Sequence, residues 1–519
     1  YREQRTAAAI FRKLTWESTI KRVRFRPSRL TANSYTALIT VSLYLLLAGY
    51  QLFGPVPIGL ADNGDFPKIL GGMAIGHAPG TEKATAGWYF VTDYAISRQL
   101  YWWLGHVPSS EYWMAKAAKR LALWFSPGGH FDIRYMGGVH LAVMALAFWF
   151  LIRAFRKRPL WQTIVLSALL LFICTDIEYV QFFSTAYADA AAIVFFCCFV
   201  GIALNICLNP ELTKIRWMLA FTFFGCLFLS SKLQHQLGIF PLCALALWFG
   251  WRIRGRRKQL VWVVPVIAFI ATTFGMVKNT RHDYRADPIY AMIFCRLAPM
   301  SHDPDQVLRD FGLPDRYRKY VGKLPFKEGY LLNNLSEREY FVDHITLRKV
   351  AGYYLTHPGM CYRVLASDLK LAAPYANLGN WDAKRFRIDQ YAAHRGDMRF
   401  KWWSSLRQAI ATEWWMLNPL FYAAVFLLGI AAALRPNLSV RLPVWPILLL
   451  LSFEGASTFA VASLNDYVET SRHIILFQVC TDLLFVLLVM EATGAIFGRR
   501  RRIGSQSQVG AVDQAGVRA

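Results

Sequence analysis

Two carboxylates stand three residues apart in "GLADNGDFPKIL", just after the first long apolar run of the chain: Asp62 and Asp65. A carboxylate held at the edge of an apolar bundle can take a proton from a hydroxyl as a general base. A pair of them can bind a hard divalent cation such as Mg, Mn or Ca through oxygen. The plainer role is a turn: Asn63-Gly64 is strong turn chemistry, and Asp65 suits the N-cap of a short helix opening at Phe66, with Pro67 in its first turn. The two roles are compatible, because a cap fixes a carboxylate in place.

Charged groups recur at the ends of later apolar runs. "TDIEY" sets Asp176 and Glu178 after the third run, and Asp189 opens the fourth. "SSKLQHQLG" sets Lys232, Gln234 and His235 in a very short turn, and "VETSRHIILF" sets Glu469, Arg472 and His473 at the mouth of the last run. Arg281, His282 and Arg285 follow the seventh. Cations at this depth call for an anionic partner. A phosphate at headgroup level is the natural one, since Arg and Lys bind its oxygens through charge-assisted hydrogen bonds. Bulk lipid headgroups, or ion pairs with the neighbouring acids, would satisfy the same groups. Most run centres are apolar; Glu454 in the ninth is an exception. There is no GxSxG, Walker A loop, HExxH or GxGxxG before a helix, and the 11 histidines are scattered. Nucleophile, nucleotide and histidine–metal chemistry therefore lack support.

The elements that must position these groups are membrane helices. The 519 residues are 55% hydrophobic and 18% charged, with mean hydropathy +0.28, and the apolar residues are gathered into long runs. Runs able to span the hydrocarbon, about 17 to 25 residues each, fall at roughly 33–53, 135–152, 160–175, 188–208, 215–231, 236–252, 260–277, 418–434, 443–464 and 471–496. The spacing predicts an all-α polytopic membrane protein with about ten (ten to thirteen) transmembrane helices.

Arg153, Arg156, Lys157 and Arg158, then Lys214 and Arg216, "RIRGRRK", Arg435 and Arg441, and the final "RRRR" all fall on the side of the basic N-terminus. By the positive-inside rule that side is cytoplasmic and holds both termini, with "KRVRFRPSR" flanking an uncleaved first helix. The same clustering accounts for the net charge of +25 without nucleic acid as a partner.

The acidic motifs then converge on the external face. The organisation expected is a basic N-terminus (1–32), a transmembrane core (33–277) with a first external loop (54–134), a modest extracytoplasmic insert (278–417), C-terminal transmembrane helices (418–498) and a Gly/Ser/Gln-rich disordered tail (499–519). The aromatic stretch "GWYFVTDYAISRQLYWWLG" in the first loop reads as interfacial helix. Of nine cysteines, without a CxxC, seven lie in apolar runs; Cys295 and Cys361 lie in the insert and would be able to pair in an oxidising compartment.

This layout resembles the membrane glycosyltransferases of the GT-C type. "DNGDF" stands where that family has its first acidic motif, "TDIEY" resembles its second, and "YVETSRHIILF" resembles the Arg-containing start of a late helix that faces the donor phosphate. "ADNGDF" and "SRHIILF" also resemble bacterial hexose transferases of surface-glycan assembly. The chain departs from the family in lacking a plain Asp-Glu pair in the first loop, which leaves the base open between Asp62 and Asp65. Asp65 is favoured, because it directly precedes the aromatic-led helix.

The resemblance implies inverting transfer from a polyprenyl-phosphate sugar to a glycan, lipid or protein acceptor on the outer face of a bacterial inner membrane. The phosphate would sit on Arg472, Lys232 and His473, with Gln234, His235, Glu469 and Arg281 on the same side, and Asp176 and Glu178 would position the acceptor. A transporter or flippase for a polyprenyl-linked glycan is the alternative.

Overall fold

A helix that is apolar on every side belongs at the centre of a bundle. The fourth run obeys this: helix Ala188–Leu208 is buried almost throughout. In the computed structural model it is flanked by the second helix, Arg134–Ala154, and the fifth, Ile215–Leu229. Gly201 allows the closest approach, since a Cβ there would lie 2.8 Å from Phe150 Cβ. The structure describes residues 31–55, 58–62, 64–78, 90–97, 108–126, 128–209, 211, 214–253, 255–280, 286–325, 329–371, 400–465, 467 and 470–516.

Eight helices among these residues are long and apolar enough to cross a membrane. They are the first (Ala32–Phe53), second, fourth, sixth (Leu233–Arg252, beginning as a 3-10 turn to Gly238), seventh (Gln259–Asn279), eighth (Leu417–Leu434), ninth (Trp445–Asn465) and tenth (from Ile475). The third, Leu160–Cys174, and the fifth are apolar but have 15 residues each. That is about 22 Å of helix against about 30 Å of hydrocarbon. Both break into polar turns, at Thr175-Asp176 and at Ser230-Ser231. The ten runs of the sequence therefore correspond to eight full-length helices and two short ones, in an all-α polytopic membrane protein.

The first loop holds a correction. The described part of its aromatic stretch is a strand, Asp93–Ile96, in the middle of a three-stranded antiparallel sheet with Ile75–His77 and His130–Asp132. Pairing on both edges overrides the helix-like composition and turns Tyr94 inward. An interfacial helix is present further on, at Glu111–Phe125. Ala115, Ala118 and Ala122 face the bundle, while Trp113, Trp124 and Phe125 are exposed.

Within the insert, residues 286–371 build an apolar core of their own around Tyr290, Phe294, Tyr317 and Phe341. A π-helical segment, Ala291–Leu297, carries Arg296, which clamps Asp368 through two bonds (2.5 and 2.9 Å) and donates to the carbonyl of Ser463 at the end of the ninth helix. Cys295 and Cys361 are both free thiols, and Cys295 donates to the Lys323 carbonyl instead. The tenth helix continues to Gly516, through the stretch expected to lack structure. Extending a formed helix costs far less than starting one, and no proline interrupts residues 499–516.

Candidate functional site

The first-loop motif divides its two carboxylates between two tasks. Asp62, buried at 2% exposure, folds back on its own turn. One oxygen accepts the N–H of Gly64 (2.8 Å) and of Phe66 (3.3 Å), and the other meets His77 Nε2 at 3.2 Å. Gly64 takes φ +92°, a left-handed conformation that glycine adopts without strain. The helix does open at Phe66, with Pro67 in its first turn, yet the side chain of Asp65 caps nothing. Asp62 does the capping, and Asp65 turns outward, half-buried, between two cations: Lys68 Nζ at 2.5 Å and the Arg472 guanidinium at 2.8 Å. Burial alone would raise the Asp65 carboxyl, but Lys68 and Arg472 together hold it well below the usual carboxylate range.

Arg472 arrives from the far end of the chain, in the short helix Thr470–His473 before the tenth helix. Its guanidinium lies 3.9 Å above the ring of Tyr187, the residue preceding the fourth helix. The Tyr187 hydroxyl donates to the carbonyl of Ala61 (2.5 Å), and its ring meets Phe66 edge-on at 4.9 Å. Both sides of the acid motif thus rest on the residue that supports the arginine.

Alongside, Lys232 Nζ pairs with Asp189 at 2.8 Å, and Gln234 donates to the carbonyl of His473 (2.8 Å), which joins the start of the sixth helix to that of the tenth. Burial lowers the Lys232 ammonium, against the opposing pull of Asp189. His235 is buried against Phe228, and neither of its ring nitrogens meets a protein partner. Glu454 lies behind: Thr458 bonds one of its oxygens, and the other packs on Gly238.

Asp176 and Glu178 belong to a different cluster. Asp176 caps the short helix Ile177–Val180 through the Glu178 N–H, and its other oxygen accepts the N–H of Ser404 at 2.9 Å. The neighbouring Tyr179 joins Trp403 Nε1 (3.0 Å) and Arg407 (2.9 Å) on one oxygen of Asp482 in the tenth helix. Burial, reinforced by Asp176, pushes the Glu178 carboxyl well up. The amphipathic helix Trp402–Glu413 is pinned to the bundle in this way. Glu469 and Arg281 lie outside the described residues.

The structure therefore brings Asp65, Arg472, His473, Gln234, Lys232 and Asp189 to one end of the bundle and leaves Asp176 and Glu178 out of that group. Sequence reasoning missed Lys68 and Tyr187. Lys68 had a signal, a cation one turn after Asp65; an aromatic residue before an apolar run had none. Among the described residues no three His, Cys, Asp or Glu side chains gather to hold a metal ion. Backbone N–H groups and cations engage the two first-loop carboxylates instead.

Residues 20–509 match the family model of the YfdI N-terminal transmembrane domain. The chain belongs to this family. The membership supports a membrane glycosyltransferase-like protein. No curated protein and no solved structure matches the chain. Within this YfdI-type domain, the cluster around Asp65 and Arg472 joins the loop after the first membrane helix to the start of the last one, 407 residues apart in sequence.

Proposed function

We propose that the protein is an inverting membrane glycosyltransferase that moves a sugar from a polyprenyl-phosphate donor to a hydroxyl of a glycan, lipid or protein acceptor. The observation that carries this reading is the 2.8 Å contact between Asp65 and Arg472. This contact supports the reading because it pairs a carboxylate, a group able to accept a proton, with an arginine, a group able to bind phosphate, at the mouth of an apolar bundle. The distribution of basic loops supports both termini on the cytoplasmic side of a bacterial inner membrane and the site on the opposite face.

In this mechanism the polyprenyl tail lies among the helices, and its phosphate is held by Arg472 and Lys232, with His473, Gln234 and His235 close by and Glu469 and Arg281 on the same side. Asp65 takes the proton of the acceptor hydroxyl as that oxygen attacks the anomeric carbon from the face opposite the phosphate. The bond to the phosphate oxygen breaks, and the cations stabilise the charge that develops there. Asp62 fixes the loop from which Asp65 projects. Asp176 and Glu178 serve the acceptor side, Asp176 through the helix Trp402–Glu413 whose Ser404 N–H it accepts.

The test uses purified protein in lipid with a panel of polyprenyl-phosphate sugars, with and without divalent cations, following release of polyprenyl phosphate. Asp65→Asn is expected to lower turnover by about 10²-fold or more while the donor still binds. Turnover near the parent's in Asp65→Asn removes this base. If no donor turns over while a lipid-linked glycan crosses the bilayer, the protein is a transporter instead.

A further inference from the structure

We propose that Arg472 is shared between Asp65 and the anionic ligand, so that a phosphate arriving at the site takes the arginine and thereby releases the carboxylate beside it. The inference rests on the reading of this site as a phosphate-sugar site and deepens it. Four observations carry it. The same guanidinium that is suited to grip a phosphate is joined to Asp65 at 2.8 Å. Asp65 is half-buried and has a second cation, Lys68, at 2.5 Å, so its charge remains paired when Arg472 leaves. The guanidinium carbon lies over the Tyr187 ring, 3.9 Å from its centroid, and a cation–π contact of this kind tolerates rotation of the guanidinium above the ring. The neighbouring cation Lys232 pairs with Asp189 at 2.8 Å, so of the two phosphate-side cations Arg472 is the one whose movement changes the pairing of Asp65.

The exchange resolves a conflict in the site. A carboxylate held between two cations is a poor proton acceptor, because neutralising it breaks two ion pairs. Moving Arg472 onto a phosphate oxygen strengthens Asp65 as a base at the moment the leaving group is neutralised. An acceptor hydroxyl that arrives without a donor finds a weak base. Tyr187 is the positioning residue of this device. Its hydroxyl is tied to the Ala61 carbonyl, so the loop bearing Asp65 and the platform under Arg472 move together.

The experiment measures binding of polyprenyl phosphate to the full chain in nanodiscs. The unmodified protein binds, and Asp65→Asn, which removes the competitor for Arg472, binds tighter by on the order of tenfold. Asp65→Ser serves as a second variant with the same expectation should the amide fail to fold. Arg472→Ala loses binding, Tyr187→Leu weakens it about tenfold, and Tyr187→Phe, which keeps the ring, stays within about threefold of the parent. If the parent binds while folded Asp65→Asn or Asp65→Ser binds equally or more weakly, Arg472 is not shared and this inference fails, with the phosphate-site reading intact. If the parent does not bind polyprenyl phosphate at all, that reading fails and takes the inference with it.

Discussion

Two charged clusters occupy the loop ends of the same helix bundle, and they are built differently. Around Asp65 the carboxylate and one cation are accessible: the side chains of Asp65 and Lys68 are 27% and 32% exposed, while Arg472, at 8%, reaches them from the protein side. Around Asp482 it is the carboxylate itself that is sealed. Its side chain is 5% exposed, and a tyrosine, a tryptophan and an arginine converge on one of its oxygens. An ion pair that water and ligands can reach exchanges partners at low cost, whereas a buried one holds its geometry because breaking it strands a charge. Accessible pairing suits a site, and sealed pairing suits a joint. The acids of "DNGDF" and "TDIEY" look alike in sequence, but Asp65 of the first stays partly exposed between two cations, whereas Asp176 of the second is buried and fastens a helix.

Mutation separates the two. The largest effect expected is on rate: Asp65→Asn lowers transfer by about 10²- to 10⁴-fold, with a melting temperature close to that of the parent. Loss of stability with little loss of rate would make Asp65 a joint as well, and the comparison would collapse. Next is Arg407→Met, which leaves Asp482 buried without its cation and costs about 3–5 kcal/mol of stability, read as a lower melting temperature. The double change Arg407→Met with Asp482→Leu recovers most of that loss. A rate defect in Arg407→Met at unchanged stability would move this cluster into the active machinery.

Asp62→Asn is milder, about 1 kcal/mol or less, because an amide oxygen still accepts the Gly64 and Phe66 N–H groups. It retains transfer, and Asp62→Ala, which cannot cap, loses more of both stability and rate. The smallest effect belongs to Glu178. Its folded carboxyl is raised by burial, so the folded state holds the proton more tightly than the unfolded one. Its contribution is fully present below the ordinary glutamate range and is lost as pH rises through the raised value. Glu178→Gln is therefore expected to melt slightly higher than the parent at pH 8 and to match it near pH 4, in a series of melting curves. Equal melting curves at both pH values would show that Glu178 is not buried in its acid form.

Much of the fold is legible in the chain because membrane helices are written locally. Each needs only a run of apolar residues of sufficient length, so all ten positions, and the burial of Ala188–Leu208 on every side, follow from composition. The motif Asp62 to Pro67 is equally local: Gly64 takes a left-handed conformation, and a proline sits in the first turn of the helix.

What local pattern does not contain is which partner each group finds. Asp62, rather than Asp65, caps the helix because the turn at Gly64 directs its oxygens back toward Phe66 N–H, and only that geometry frees Asp65 to point elsewhere. The strand at Asp93–Ile96 forms because two other strands pair with it, against its helix-like composition. The meetings of Asp65 with Arg472 and of Tyr179 and Arg407 with Asp482 join residues more than seventy positions apart. The sequence by itself thus determined the helices and the kinds of charged group at their ends. The tertiary structure alone decided which charges are paired in the open and which are sealed, because helix packing, rather than spacing along the chain, brings those side chains together.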